Sequence, residues 1–461
     1  MDRRSLLHAA AGVLTVTGFS GCVSESPGKS TTKTQSSPTT TSEQDSPGGS
    51  TTEPRSSPVT TSEKSGHTRG WPTFGANAAH TGFAPNETGP QAGQIAWSAI
   101  GDAPTVLCSP TVKDGSVYVG SAANMIHAFD AATGETRWEY PTSSYVEVAP
   151  TVTDDTVYSA DADGVIYALT TDGEKKWTLE TEHNLHTKAV ALADGTLFVG
   201  TAGTMPAVVS GDMDKSRASL VLALDAETGE QKWQFKASDW FTGPTVGGNH
   251  VYAGNNNSTL YALDRSTGEE VWSWQATGGS FLAPPTYANE TVFAGIHGGG
   301  ELVAFDAETG SIRWRSDLNA GNVKSSPAVD GERVYIGAAR IRAVAAVGRA
   351  ATGRTETTNE NTPTSTPESG TTGIFSAHSI SDGESVWQYK TDHDFRSSPA
   401  VLTDTVYIGG GNGMVAVKRQ TGKERWSVQF DDYVYSSPAV ANERAYIGSA
   451  DGHLYCIAGM E

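Results

Sequence analysis

The residues of this 461-residue chain that are best suited to binding chemistry recur at one place in a repeated pattern. A Pro closes a short run at Ser109-Pro110, Ala149-Pro150, Gly243-Pro244, Pro284-Pro285, Ser326-Pro327, Ser398-Pro399 and Ser437-Pro438. Two to four places before that Pro, or its counterpart, stand Glu147, Lys188, Trp240, Phe241, Phe281, Lys324, Phe395, Arg396 and Tyr435. Three cations and several aromatic rings at one opening suit a flat, anionic ligand held by charge-assisted hydrogen bonds and stacking. The same residues also read as polar side chains around a solvated mouth, with the aromatics plugging it. Catalytic patterns are missing: there is no G-x-S-x-G elbow, no H-E-x-x-H and no Gly-rich phosphate loop. Cys22, Cys108 and Cys456 form no Cys-x-x-Cys or adjacent pair, so cysteine-based metal and redox sites are not expected.

A repeat must position these residues. The stretch 128–138 (AFDAATGETRW) returns as 223–233 (ALDAETGEQKW), 262–272 (ALDRSTGEEVW) and 304–314 (AFDAETGSIRW), with weaker copies at 168–177, 377–387 and 416–426. Alternating apolar residues make a strand, and Asp-x-x-Thr-Gly makes a tight turn. The carboxylate accepts turn amides, Gly takes the positive φ, and Trp lies on the returning strand. Asp130, Asp225, Asp264 and Asp306 are therefore turn caps, not catalytic carboxylates. With the Pro half-motif upstream, each unit holds four short strands, and the Trp residues recur about forty residues apart, the signature of a β-propeller blade.

These motifs resemble the tryptophan-docking repeat of the PQQ-like propeller family, shared by quinoprotein dehydrogenases and BamB-like lipoproteins. The resemblance covers the chain from about Trp71 onward. It implies an all-β propeller over 70–461, and counting the docking residues Trp97, Trp138, Trp177, Trp233, Trp272, Trp314, Trp387 and Trp426 gives eight blades, with a seven-blade ring and one detached unit as the alternative. The strand at 94–97 has no earlier strands of its own, and the last unit lacks a fourth, so pairing 94–97 with 454–457 closes the ring. Insertions at 203–219 and 343–373 both follow second strands and share a face with the candidate mouth, as do the turn residues Asp161, Asp163, Asn255, His297, Asn412 and Asp451. Cys108 and Cys456 fall in neighbouring blades but different layers, which does not favour a disulfide.

The N-terminus reads as an export signal over 1–21. Arg3-Arg4 precedes an apolar run too short to span a membrane, which suggests the Tat route. Phe19-Ser20-Gly21-Cys22 resembles a lipobox with Cys22 as the lipidated residue. Residues 22–69 are Ser, Thr, Pro and Gly with almost nothing apolar, a composition expected to stay disordered as a stalk. With 52 acidic against 32 basic residues the net charge is −20, which argues against nucleic-acid binding and resembles secreted haloarchaeal proteins.

The expectation is a monomeric, lipid-anchored propeller on the extracytoplasmic face of the membrane. It is expected to bind a protein or a small anionic ligand without catalysis and to need no cofactor or metal. The outer-membrane assembly role does not carry over to a haloarchaeal-looking protein; only the scaffold does. The alternative is a PQQ- and calcium-dependent dehydrogenase of alcohols or sugars. PQQ, an acidic peptide and a sugar acid all suit the candidate mouth. Against the alternative, such enzymes resemble the chain in the docking motif, but many carry an adjacent Cys pair that is missing here.

Overall fold

The computed structural model describes residues 70–185, 187–203, 218–341 and 370–459. The proposed signal, Cys22 and the stalk lie outside them. Eight antiparallel sheets follow one another along the chain. Blade 1 runs from strand Thr111–Lys113 to Thr136–Pro141. Blade 2 runs from Thr151–Val152 to Lys175–Glu180, and blade 3 from Ala191–Ala193 to Gln231–Ser238. Blade 4 runs from Phe241–Gly247 to Glu270–Gln275, and blade 5 from Thr286–Ala288 to Ile312–Asp317. Blade 6 runs from Ala328–Val329 to Ser385–Thr391, and blade 7 from Ala400–Val401 to Glu424–Gln429. Blade 8 takes three strands from the C-terminal end, Ala439–Ala441, Arg444–Gly448 and His453–Ala458, and its fourth, Gln94–Ile100, from the beginning of the described chain. Ile95 pairs with Ile457 and Trp97 with Cys456, so the expected closure is what the fold uses.

The turn motif does two jobs. Asp130 Oδ1 accepts the amides of Ala132 and Thr133, while the Arg137 guanidinium and these amides hold its carboxyl down at about 2. The turn also receives the previous blade's tryptophan: Trp97 Nε1 donates to Ala131 O at 3.3 Å, and Trp138 Nε1 to Thr171 O at 2.8 Å. The series continues through Trp177, Trp233, Trp272, Trp314, Trp387 and Trp426. Gly134 takes φ 77°, and a Cβ there would lie 2.7 Å from the Trp97 ring. Glycine is therefore needed for both backbone and space. For Trp426 the seat is Pro90 O and Gly93, from the segment that leads into the closing strand.

The lead-in also stops one end of the channel. Strand Gly70–Trp71 adds to the inner edge of blade 1. The residues after it then cross the disc, where Pro72, Ala78, Ala79, Thr81 and Gly82 carbonyls accept inner-strand amides of Val152, Tyr287 and others in blades 2, 4, 5, 6 and 7. Phe74 is buried against Ala149 and Ala189 and meets the His80 ring edge-on at 5.3 Å. His80 Nδ1 bonds Thr245 Oγ1 at 2.9 Å, and burial lowers its pKa to about 3. The channel is thus a cup.

The two insertions leave the fold where expected, after strands Thr196–Gly200 and Arg333–Ile341. Their bounds are narrower than 203–219 and 343–373. Strands Ala218–Asp225 and Thr371–Ser379 begin inside those limits, because the flanking strands lengthen to carry the loops. Most of both insertions lies outside the described residues.

Candidate functional site

Side chains alternate along an extended chain, and the approach to each inner strand shows it. One set, Val106, Val146, Leu185, Phe241, Phe281, Val323, Phe395 and Val434, is buried between blades. The other set, Leu107, Glu147, Leu282, Lys324, Arg396 and Tyr435, is half-buried, on the opposite side of the extended segment. This corrects the placement of Phe241. Its amide donates to Thr201 O just as the Val146 amide donates to Ser121 O, and its ring packs on Tyr261. Phe241, Phe281 and Phe395 belong to the core and do not line or plug the mouth. Phe74 plugs the channel instead.

Lys188 breaks the alternation. At the corresponding positions the Leu185 and Val146 amides each donate to a carbonyl of the preceding blade, Ala162 O and Ser121 O, and Ala191 and Thr151 occupy the same register. Between them blade 3 holds one more residue than blade 2. An extra residue re-aims the side chains after it. The place two before the Pro counterpart is buried Val148 in blade 2 and half-buried Lys188 in blade 3. Lys188 Nζ reaches across the cup and donates to the Lys324 carbonyl of the blade 6 approach at 2.5 Å.

Three cations from three blades therefore meet in a protein of net charge −20. Burial, then Lys324, then Arg396 push the Lys188 pKa down to about 8. Lys324 is lowered by burial and by Arg396, with Asp394 opposing. Arg396 Nε donates to buried Asp394, and its guanidinium lies 5.1 Å from the centre of the Tyr435 ring. Tyr435 stacks on Tyr433 at 6.2 Å. His297 joins this group: burial, Lys324 and Arg396 lower its pKa, and its buried Nδ1 has no partner. Glu147 stands one blade from Lys188, where its charge opposes ionisation of Tyr145 and Cys108. Trp240 is exposed on the same face, its carbonyl accepting the Asn256 amide.

Of the expected site, the structure brings together Lys188, Lys324, Arg396 and Tyr435. Asp394 and Tyr433 were missed, because their sequence setting is that of ordinary turn residues. Beside the cation cluster the rim is acidic over blade 7: a cavity of about 430 Å³ between the connections that enter and leave this blade is lined by Asp392, His393, Asp431, Asp432 and Tyr433. Cys108 and Cys456 are buried free thiols, raised by burial to about 12 and about 11, and carry no nucleophile. Among the described residues no group of three or more His, Cys, Asp or Glu is placed to hold a metal ion.

A family model described as outer membrane protein assembly factor BamB matches residues 86–218, 216–371 and 371–459. Serine/threonine-protein kinase AfsK of Streptomyces griseus is 32% identical over 31% of the chain and 17% of the kinase. BamB of Yersinia pestis is 26% identical over 49% of the chain and 47% of that protein. The chain thus spans less than half of either curated relative. The crystal structure of quinohemoprotein alcohol dehydrogenase from Comamonas testosteroni superposes with a TM-score of 0.68 at 16% identity, over 85% of the chain and 81% of the enzyme, a likeness of fold.

Proposed function

The chain belongs to the BamB family of propeller proteins, and from that premise we propose that it is a non-catalytic binding module tethered outside the cell membrane. A lipid on Cys22 would hold it there, with residues 22–69 as the stalk. The cup would receive a small anionic ligand, or an acidic side chain of a protein partner. One observation carries this reading: Lys188, Lys324 and Arg396 converge on the open end while the rim beside them and the whole protein are acidic. Charges of one sign focused in a concave site raise the local concentration of the opposite ion.

The dehydrogenase reading draws on the fold shared with the alcohol dehydrogenase and on the same cations. The residues suit the carboxylates of PQQ. For the calcium ion that the resemblance pairs with it, the described residues offer no group of three or more His, Cys, Asp or Glu. The test is incubation of purified protein with PQQ and calcium, followed by dye reduction with alcohols and sugars. No turnover is expected, and any uptake of PQQ should be weakened by Lys324→Ala and Arg396→Ala. Turnover would overturn the binding reading. Cys22→Ala should move the protein from the membrane fraction to the medium, and its retention would remove the anchor.

A further inference from the structure

We propose that Lys188 is a carbonyl-reactive amine that captures a small 2-oxo carboxylate as a reversible imine, with Lys324 and Arg396 holding the carboxylate. This rests on the reading of the cup as an anion site and adds a covalent step to it.

The geometry supports the assignment in three ways. The extra residue in blade 3 turns Lys188 out of the inter-blade core and into the cup, where it reaches a carbonyl across the channel. The charges that bear on its amine are those of Lys324 and Arg396, both positive. Asp394 is engaged with Arg396, and burial and the same cations lower the pKa of His297, against the Val323 backbone. An amine flanked by cations in a partly dry site is the recognised arrangement for Schiff-base lysines. With its pKa at about 8, about a quarter of the amines are neutral at pH 7.5, against about one in a thousand for an ordinary lysine.

The two flanking cations supply what a carbonyl compound alone would not need, a seat for an anion beside the nucleophile. The acidic rim, Asp392, Asp431 and Asp432, disfavours extended polyanions and favours a compact monoanion. In the step itself the Nζ lone pair attacks the ketone carbon to give a carbinolamine. The carbonyl oxygen then leaves as water with both amine hydrogens, and hydrolysis reverses the bond.

The full-length protein would be incubated with pyruvate and sodium cyanoborohydride, and the modified peptides read by mass spectrometry. Lys188 should be labelled at least about tenfold faster than the exposed Lys175 and Lys423, with half-maximal rate near pH 8. Labelling no faster than at those surface lysines overturns the proposal. Acetaldehyde, which has no carboxylate, separates the two roles. The pyruvate-to-acetaldehyde labelling ratio at Lys188 should fall about fivefold or more in Arg396→Gln, and an unchanged ratio overturns the carboxylate assignment. Lactate, which has no ketone, reports anion binding by calorimetry. Lactate binding without pyruvate adducts sinks the imine alone; neither signal sinks the anion site as well. Lys188→Arg should abolish the adduct while keeping the charge.

Discussion

The two halves of the cup wall are built differently. From blade 6 through blades 7 and 8 to blade 1 the Ser before the Pro in one blade accepts the amide of the corresponding Ser in the blade before it. The Ser326 amide donates to Ser398 Oγ, that of Ser398 to Ser437 Oγ, and that of Ser437 to Ser109 Oγ, all within 2.9 Å. The first Ser accepts from the glycine of its own second strand, as Ser397 does from Gly409 at 2.8 Å. In blades 2 to 5 the second position holds Ala149, Ala189, Gly243 and Pro284, which have no hydroxyl. There the backbone makes the links, with the Ala149 amide donating to Lys188 O and the Lys188 amide to Thr242 O. The serine arc needs a hydroxyl before the Pro in each of blades 7, 8 and 1. The backbone-linked half tolerates an extra residue, and that residue places a lysine in the cup.

Four perturbations would break or sharpen this contrast. The largest concerns His80, whose bonds run to Thr245 and Thr286 of the backbone-linked half. Its folded pKa lies near 3, below the unfolded value of 6.5. The unfolded chain therefore binds the proton first, and stability is lost as pH falls from 6.5 toward 3, by up to about 4 kcal/mol. Denaturant titrations at successive pH values should show a steeper acid loss for the wild type than for His80→Asn. Parallel curves would refute it.

Next come the Trp seats, which are alike in both halves. Gly229→Ala in blade 3 and Gly422→Ala in blade 7 should each cost about 2–4 kcal/mol. A Cβ would meet Trp177 at 2.9 Å and Trp387 at 2.5 Å. Markedly unequal thermal shifts would show that the outer docking also differs between halves. Ser398→Ala orphans a buried amide in the arc and should cost about 1–2 kcal/mol. A neutral result would mean that the hydroxyl rungs add nothing to the wall. The smallest effect has the opposite sign. The Lys188 amine is easier to protonate in the unfolded chain, so its contribution to stability rises between pH 8 and 10.5, and at pH 7 its charge opposes folding. Lys188→Met should stabilise by about 1 kcal/mol, after allowance for partial exposure. A loss of stability would show that its bond to Lys324 O outweighs the repulsion.

How much of this was legible depended on whether the information was local. The Asp-x-x-Thr-Gly turn, the strand before it and the Trp after it are all present within eleven residues, so the blade could be read directly. Closure could be read too, because strand 94–97 had no partners and the last unit lacked one. The position of Phe241 could not be read. Its approach segment is one residue short, and only the bond to Thr201 shows which way the ring points. The second job of the turn glycine was hidden as well, since the ring it accommodates belongs to the preceding unit.

The sequence by itself determined the unit, its number and the way the ring shuts, because strands and tight turns follow from side-chain alternation and local backbone preference. Only the tertiary structure decided that Phe74 and His80 stopper one end and that Lys188 crosses to Lys324, 136 residues away. Those facts depend on the rotation between blades and on a one-residue change of register. Both are set by packing across the whole ring.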